Sequence, residues 1–169
     1  MSLSFETVVL VVVTGVGATV FMDLFGVVRS RLSGQQGMNW AMVGRWLGHL
    51  VQGHFVLRKP AEAAPVFGER ALGWVFHYAI GIGLSAVLTS LLGEAWVREP
   101  QAVRVIGFGV ISVVLPWLTL QPGLGMGIAA RLTPNPWKAR RQSLITHLIF
   151  GMGLYLSALI LGGVFSATD

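Results

Sequence analysis

The sequence contains no cysteine. That absence excludes disulfide frameworks, thiolate metal ligands and thiol nucleophiles together. Charge is nearly as scarce: only 11% of the 169 residues are charged, against about 25% in an ordinary soluble domain. So few charges cannot cover a soluble surface, so the solvent for most of the chain is lipid. No HExxH, no CxxC and no phosphate-binding glycine loop is present. The start, MSLSFETVVLVVVTG, has no basic n-region, and its apolar run lasts about twenty-four residues, too long for a signal h-region and long enough to span. It is read as a retained helix.

What remains is apolar. Hydrophobic residues make up 54% of the chain, and there are 22 glycines, a share that suits closely packed membrane helices. Four long apolar runs read as transmembrane spans, at about 5–28, 71–92, 105–130 and 142–163. The expected fold is all-α, an integral membrane four-helix bundle formed as a single domain over 1–169. In a soluble protein the net charge of +5 would suggest nucleic acid. Here the basic residues lie in the gaps between the apolar runs, where anionic headgroups sit. The lipid bilayer is therefore the expected partner, with no nucleic acid.

Span one carries Asp23, whose insertion costs about 2.5 to 3.5 kcal/mol, so its carboxylate is expected to face protein or water. Thr19, four residues earlier, shares its helix face. The stretch Asn39 to Phe55, NWAMVGRWLGHLVQGHF, is too polar to cross a bilayer and too apolar for a plain linker. It predicts a helix over about 39–57 with Asn39 as N-cap. Trp40, Val43, Leu47, Leu50 and Val51 form its apolar side, opposite Arg45, His49 and Gln52. This pattern fits an interfacial or re-entrant helix in the first cytoplasmic loop, with Arg45 reaching headgroup phosphate or Asp23. In span two His77, Gly81 and Ser85 share one small, polar face. Span three contains Pro116 and Pro122, which predict a kink or break at TLQPGLGMG. The backbone groups freed there need protein or water partners.

Charge orients the chain. Lys and Arg number six in 29–70, two in 98–104 and four in 131–141, which by the positive-inside rule puts the first and last loops in the cytoplasm and both termini outside. Counted from those basic boundaries, Asp23, His77 and His147 each lie about 9 to 10 Å deep on three different helices. His49 and His54 lie in the segment that can close over that level. Imidazoles with a carboxylate bind divalent transition metals without thiolates, and an Asp beside a His also serves as a proton relay. The candidate metal residues are therefore His77, His147, Asp23, His49 and His54.

The leading reading is a polar His/Asp site near the cytoplasmic face that binds or passes a metal ion or proton. The alternatives are a non-catalytic structural or accessory subunit and a haem-binding electron carrier, with haem the weaker cofactor choice. An enzyme is disfavoured: Ser143 and His147 form an i,i+4 pair, but no nucleophile elbow accompanies them. Four spans rarely enclose a transport path, so transport favours a homodimer. Gly44-xxx-Gly48 and Gly123-xxx-Gly127 are its candidate contact faces.

The segments MDLFGVVRSRL, NWAMVGRWLGH, GHF, GERALGWVFHYAIG, QPGLGMGIAA and RLTPNPWKARRQSLITHLIFGMGLYL together resemble the bacterial membrane proteins grouped as domain of unknown function 2938. The resemblance covers roughly Gly15 to Leu161. It implies a small four-span protein of the bacterial inner membrane, and it carries no activity, substrate or cofactor.

Overall fold

In the computed structural model, residues 5–34 and 37–166 are described, with side chains through 163. The chain ends and Gln35–Gln36 of the turn-like stretch lie outside the described residues. All regular structure among the described residues is helical, and four helices are long and apolar enough to cross a membrane.

α1 runs over Phe5–Ser33, 29 residues, or about 43 Å at 1.5 Å per residue. Glu6 in its first turn and Arg31 in its last oppose the helix dipole favourably. Gly34 stops it at φ 66°, its N–H returning to the Ser30 carbonyl at 2.9 Å, the left-handed C-cap that glycine adopts without strain. α2 covers Trp40–Leu50. Asn39 caps it, Oδ1 accepting from the N–H groups of Ala41 (3.1 Å) and Met42 (3.4 Å). The helix expected over 39–57 thus ends early. The His54 N–H returns to the His49 carbonyl at 3.0 Å, and the Leu57 N–H pairs at 2.7 Å with the Gly123 carbonyl, so these donors leave the helical ladder.

α3 is Glu69–Leu92, and a single turn, α4 (Ala95–Arg98), follows it. The third span, Ala102–Gly123, is broken twice into α5 (Ala102–Ile111), α6 (Val114–Leu118) and α7 (Leu120–Gly123). The breaks fall where the prolines dictate. Pro116 cannot donate to the carbonyl four residues back, at Ser112, nor Pro122 to that of Leu118. The span was expected to reach Ala130. Instead Gly125 (φ 74°) and Gly127 (φ 72°) reverse the chain first, and a 3-10 turn, Ile128–Ala130, follows. α8 runs over Pro136–Ser166, with Asn135 capping through the Lys138 N–H (3.0 Å) and proline at the first helical position, where its missing N–H costs nothing.

The chain divides into two compact units. Unit 1 holds α1, residues 78–92 of α3, α4, α5 and α8 from Thr146 onward. Its core is built around Leu10, Ala18, Leu84, Leu88, Phe150 and Leu154. Glycine sets the helix spacing: a Cβ on Gly15 would stand 2.6 Å from the Ile82 Cα, and one on Gly153 2.8 Å from the Ala18 Cα. Backbones this close pack by van der Waals contact, the force that remains when lipid removes the hydrophobic drive. Val8, Val9, Val12, Val13 and Val20 of α1 stay exposed, an apolar face that suits lipid and not water.

Unit 2 holds α2, residues 69–77 of α3, α6, α7 and α8 up to Ile145, around Val43, Trp46, Leu57 and Leu124. Gly44 and Gly73 mark the crossing of α2 and α3: a Cβ on Gly44 would collide with the Glu69 carbonyl, and one on Gly73 with that of Trp40. Gly48 faces Val66, and Gly123 faces the Trp46 indole. Of these, Gly44, Gly48 and Gly123 were expected among the candidate contact faces between copies. Within the chain each lies against a neighbour with no room for a methyl group.

Candidate functional site

In unit 1 the polar side chains of the spans meet in pairs. Asp23 of α1 accepts a hydrogen bond from the Tyr78 hydroxyl of α3, 3.1 Å at Oδ2, so its carboxylate turns to protein, as its position required. Between the C-cap of α5 and α8, Ser112 Oγ stands 2.7 Å from His147 Nδ1 and donates to the Gly109 carbonyl at 2.6 Å. A serine hydroxyl has one proton. With that proton on the Gly109 carbonyl, His147 must carry its own on Nδ1, leaving a lone pair on Nε2. Further along the α1–α3 seam Thr14 and Ser85 bond at 2.6 Å, and just beyond the end of α3 Thr7 donates to Glu94. From Thr7 to Asp23 this polar seam rises about 24 Å.

Unit 2 places its histidines differently. His77 is buried, its ring stacked on Trp40 with centroids 4.0 Å apart and set edgewise to Trp74 at 5.7 Å. His49 Nε2 lies 2.9 Å from the Ala64 carbonyl. Its ring meets that of His54 edge to face, 5.9 Å between centroids. Gln121 is buried; its amide donates to Ser143 Oγ at 3.1 Å while its Oε1 has no partner among the described residues.

The polar anchor of unit 2 is Arg45. Its Nε and Nη2 hold both oxygens of Glu69, at 2.8 and 2.7 Å, a fork-to-fork pairing. Nη1 donates to the carbonyls of Pro60 and Ala63, each at 3.1 Å, and Glu69 also accepts the Val66 N–H at 3.1 Å. Arg45 was expected to reach headgroup phosphate or Asp23. Its side chain instead turns inward, only 15% exposed. The hydrogen bonds to Glu69 raise its pKa above the usual arginine value, so the charge is permanent.

The five candidate ligands are thus dispersed among separate partners. Asp23 pairs with Tyr78, His147 with Ser112, His49 with His54 and a carbonyl, and His77 with two indoles. Among the described residues no three His, Asp or Glu side chains come together as a set able to hold a metal ion. Three partners lay outside the sequence-based candidates: Tyr78, Ser112 and Glu69. Tyr78 and Ser112 carried a signal, each being a polar group inside an apolar run.

No curated protein and no solved structure matches the chain. Residues 12–161 match the family described as protein of unknown function (DUF2938), a match that includes the second and third spans whole and most of the first and last. The chain belongs to that family.

Proposed function

We propose that this multi-pass membrane protein holds and passes protons at its paired polar side chains, with Ser112–His147 and Asp23–Tyr78 as the proton-carrying groups. The observation that carries the reading is the Ser112–His147 hydrogen bond within unit 1, which, with the Ser112 proton on the Gly109 carbonyl, puts the imidazole proton on Nδ1 and leaves a lone pair on Nε2. A proton needs one donor and one acceptor, which each pair supplies. A bound metal ion needs about three protein ligands, and no such set is gathered among the described residues. We place the chain in the bacterial inner membrane, with the loops 29–70 and 131–141 in the cytoplasm and both termini periplasmic, on the distribution of its basic residues.

The test is proton flux into vesicles containing the purified protein, driven by a potassium diffusion potential and read by an internal pH dye. Flux above that of protein-free vesicles, abolished in both His147→Ala and Asp23→Asn, supports the reading. Vesicles as tight as protein-free ones would sink it. Elemental analysis of the same samples, with His77→Ala and His147→Ala alongside, tests the metal alternative: a near-stoichiometric ion lost from both variants would replace the proton by a metal.

A second reading, a structural or accessory subunit, is favoured by one observation. Thr14, Thr19 and Thr89 donate to carbonyls of their own helices, Leu10, Gly15 and Ser85. Hydroxyls so engaged spend their one proton within their own helix and have none left to relay. Under this reading the vesicles stay tight and the two variants lose only thermal stability.

A further inference from the structure

At the start of α8, unit 2 bears a recess of about 550 Å³ lined by Asn135, Trp137, Lys138, Arg140, Arg141 and Leu144. Three of the six are cationic and none is acidic. Arg140 is fixed in place: Nε donates to the Ala129 carbonyl at 2.8 Å, and its guanidinium lies 5.4 Å from the centroid of the Trp137 ring. Asn135 is committed to the helix cap. No hydrogen bond or ion pair joins the side chain of Lys138 or Arg141 to another described residue. A recess with one oriented cation and two uncommitted ones is built for an anion with several acceptor oxygens.

The surroundings narrow the anion further. The recess opens at the first turns of a membrane-crossing helix, the level at which phospholipid phosphates lie. Trp137 is 77% exposed, as tryptophans are at that interface. Leu144 is part of the same wall and lies seven residues on, so it shares the helix face of Trp137 and sits about 10 Å deeper. The wall therefore runs from cationic to apolar in the direction of an acyl chain.

We propose that this recess binds a phosphate group, with Lys138 and Arg141 as the charge-recognising residues and Arg140 and Trp137 as its fixed walls. The phosphate can come from an anionic phospholipid headgroup or from free phosphate, and the test separates these sources. It stands independently of the proton reading.

The full-length protein in neutral detergent would be titrated with short-chain phosphatidylglycerol, and the retained lipid counted by native mass spectrometry, with and without inorganic phosphate. The Lys138→Gln/Arg141→Gln double variant is expected to bind the lipid about tenfold more weakly or worse, since each basic residue near the headgroup contributes about 1 kcal/mol. Both side chains are exposed, so the fold should survive, and an unchanged melting temperature checks this. The Arg58→Gln/Lys59→Gln double variant, in the other basic loop, removes an equal charge from exposed positions and should leave binding unchanged. Retention that millimolar phosphate does not displace assigns the site to lipid. Displacement, or phosphate binding lost in the double variant, assigns it to phosphate at large. Equal binding of both probes by wild type and the Lys138→Gln/Arg141→Gln variant overturns the proposal. So does a loss in Arg58→Gln/Lys59→Gln as large as in Lys138→Gln/Arg141→Gln, which would make the effect one of net charge.

Discussion

A serine hydroxyl carries one proton, and Ser112 has two neighbours within reach of it, the Gly109 carbonyl and His147 Nδ1. The carbonyl can only accept, so the imidazole donates. The expected result in ¹⁵N spectra of histidine-labelled protein is an Nδ1-protonated ring for His147. An Nε2-protonated ring would mean that Ser112 donates to the histidine, and the free lone pair on Nε2 that the proton reading needs would be lost. Ser112→Ala should remove the acceptor and cost about 1 kcal/mol, the usual size of one interhelical hydrogen bond in a membrane. A shared depth is not by itself a shared site. Chain position fixes how deep Asp23, His77 and His147 lie, but each helical residue turns the side chain about 100° further around the axis. Azimuth is set by which helix faces pack, and here those faces are chosen by glycines.

At the scale of elements the glycines make the sharpest prediction. Gly44→Ala would drive a methyl group into the Glu69 carbonyl, and Glu69 backbone cannot move without disturbing the start of α3. A loss of about 1 to 3 kcal/mol is expected, as for other overpacked sites, read as a lower melting temperature in detergent. Gly83→Ala, in the middle of α3 with nothing within 4 Å of a Cβ, should instead gain about 0.5 to 1 kcal/mol from helix propensity. Equal effects of the two substitutions would mean that the α2–α3 crossing is not as tight as described.

Three spans were readable from apolar length alone, and the breaks in the other from Pro116 and Pro122. Two features were not. The end of α2 depends on the Leu57 N–H finding the Gly123 carbonyl, a partner 66 positions away that no local pattern announces. Arg45 and Glu69 were both visible as charges, but their pairing requires the loop between them to fold back. Because Arg45 ties the carbonyls of Pro60 and Ala63 to α2 and α3, Arg45→Ala should loosen that loop specifically. Limited trypsin digestion after Arg58 or Lys59 is expected to accelerate several-fold, whereas Arg45→Lys, which keeps the charge but not the fork, should fall between. Digestion at the wild-type rate in Arg45→Ala would show that the loop is held by other contacts.

For the whole molecule the strongest asymmetry is charge. Ten of the twelve basic residues lie in two of the three connections between spans, and only Arg98 and Arg104 lie in the other. Anionic lipid and the membrane potential both oppose moving such loops across the bilayer, so the loops 29–70 and 131–141 should remain in the cytoplasm. The absence of native cysteine makes this directly measurable, since any thiol introduced is the only one present. Glu62 and Gln101 are both exposed, one in the basic first loop and one in the connection ahead of α5. In intact spheroplasts a membrane-impermeant maleimide is expected to label Gln101→Cys and to reach Glu62→Cys only after lysis. The reverse pattern would put the basic loops outside, moving the phosphate recess to the outer surface and the proposed proton groups to the far end of the span. Labelling of both cysteines before lysis would mean that the chain inserts in two orientations. The positive-inside bias would then be too weak to set its topology, which ten charges against two argues against.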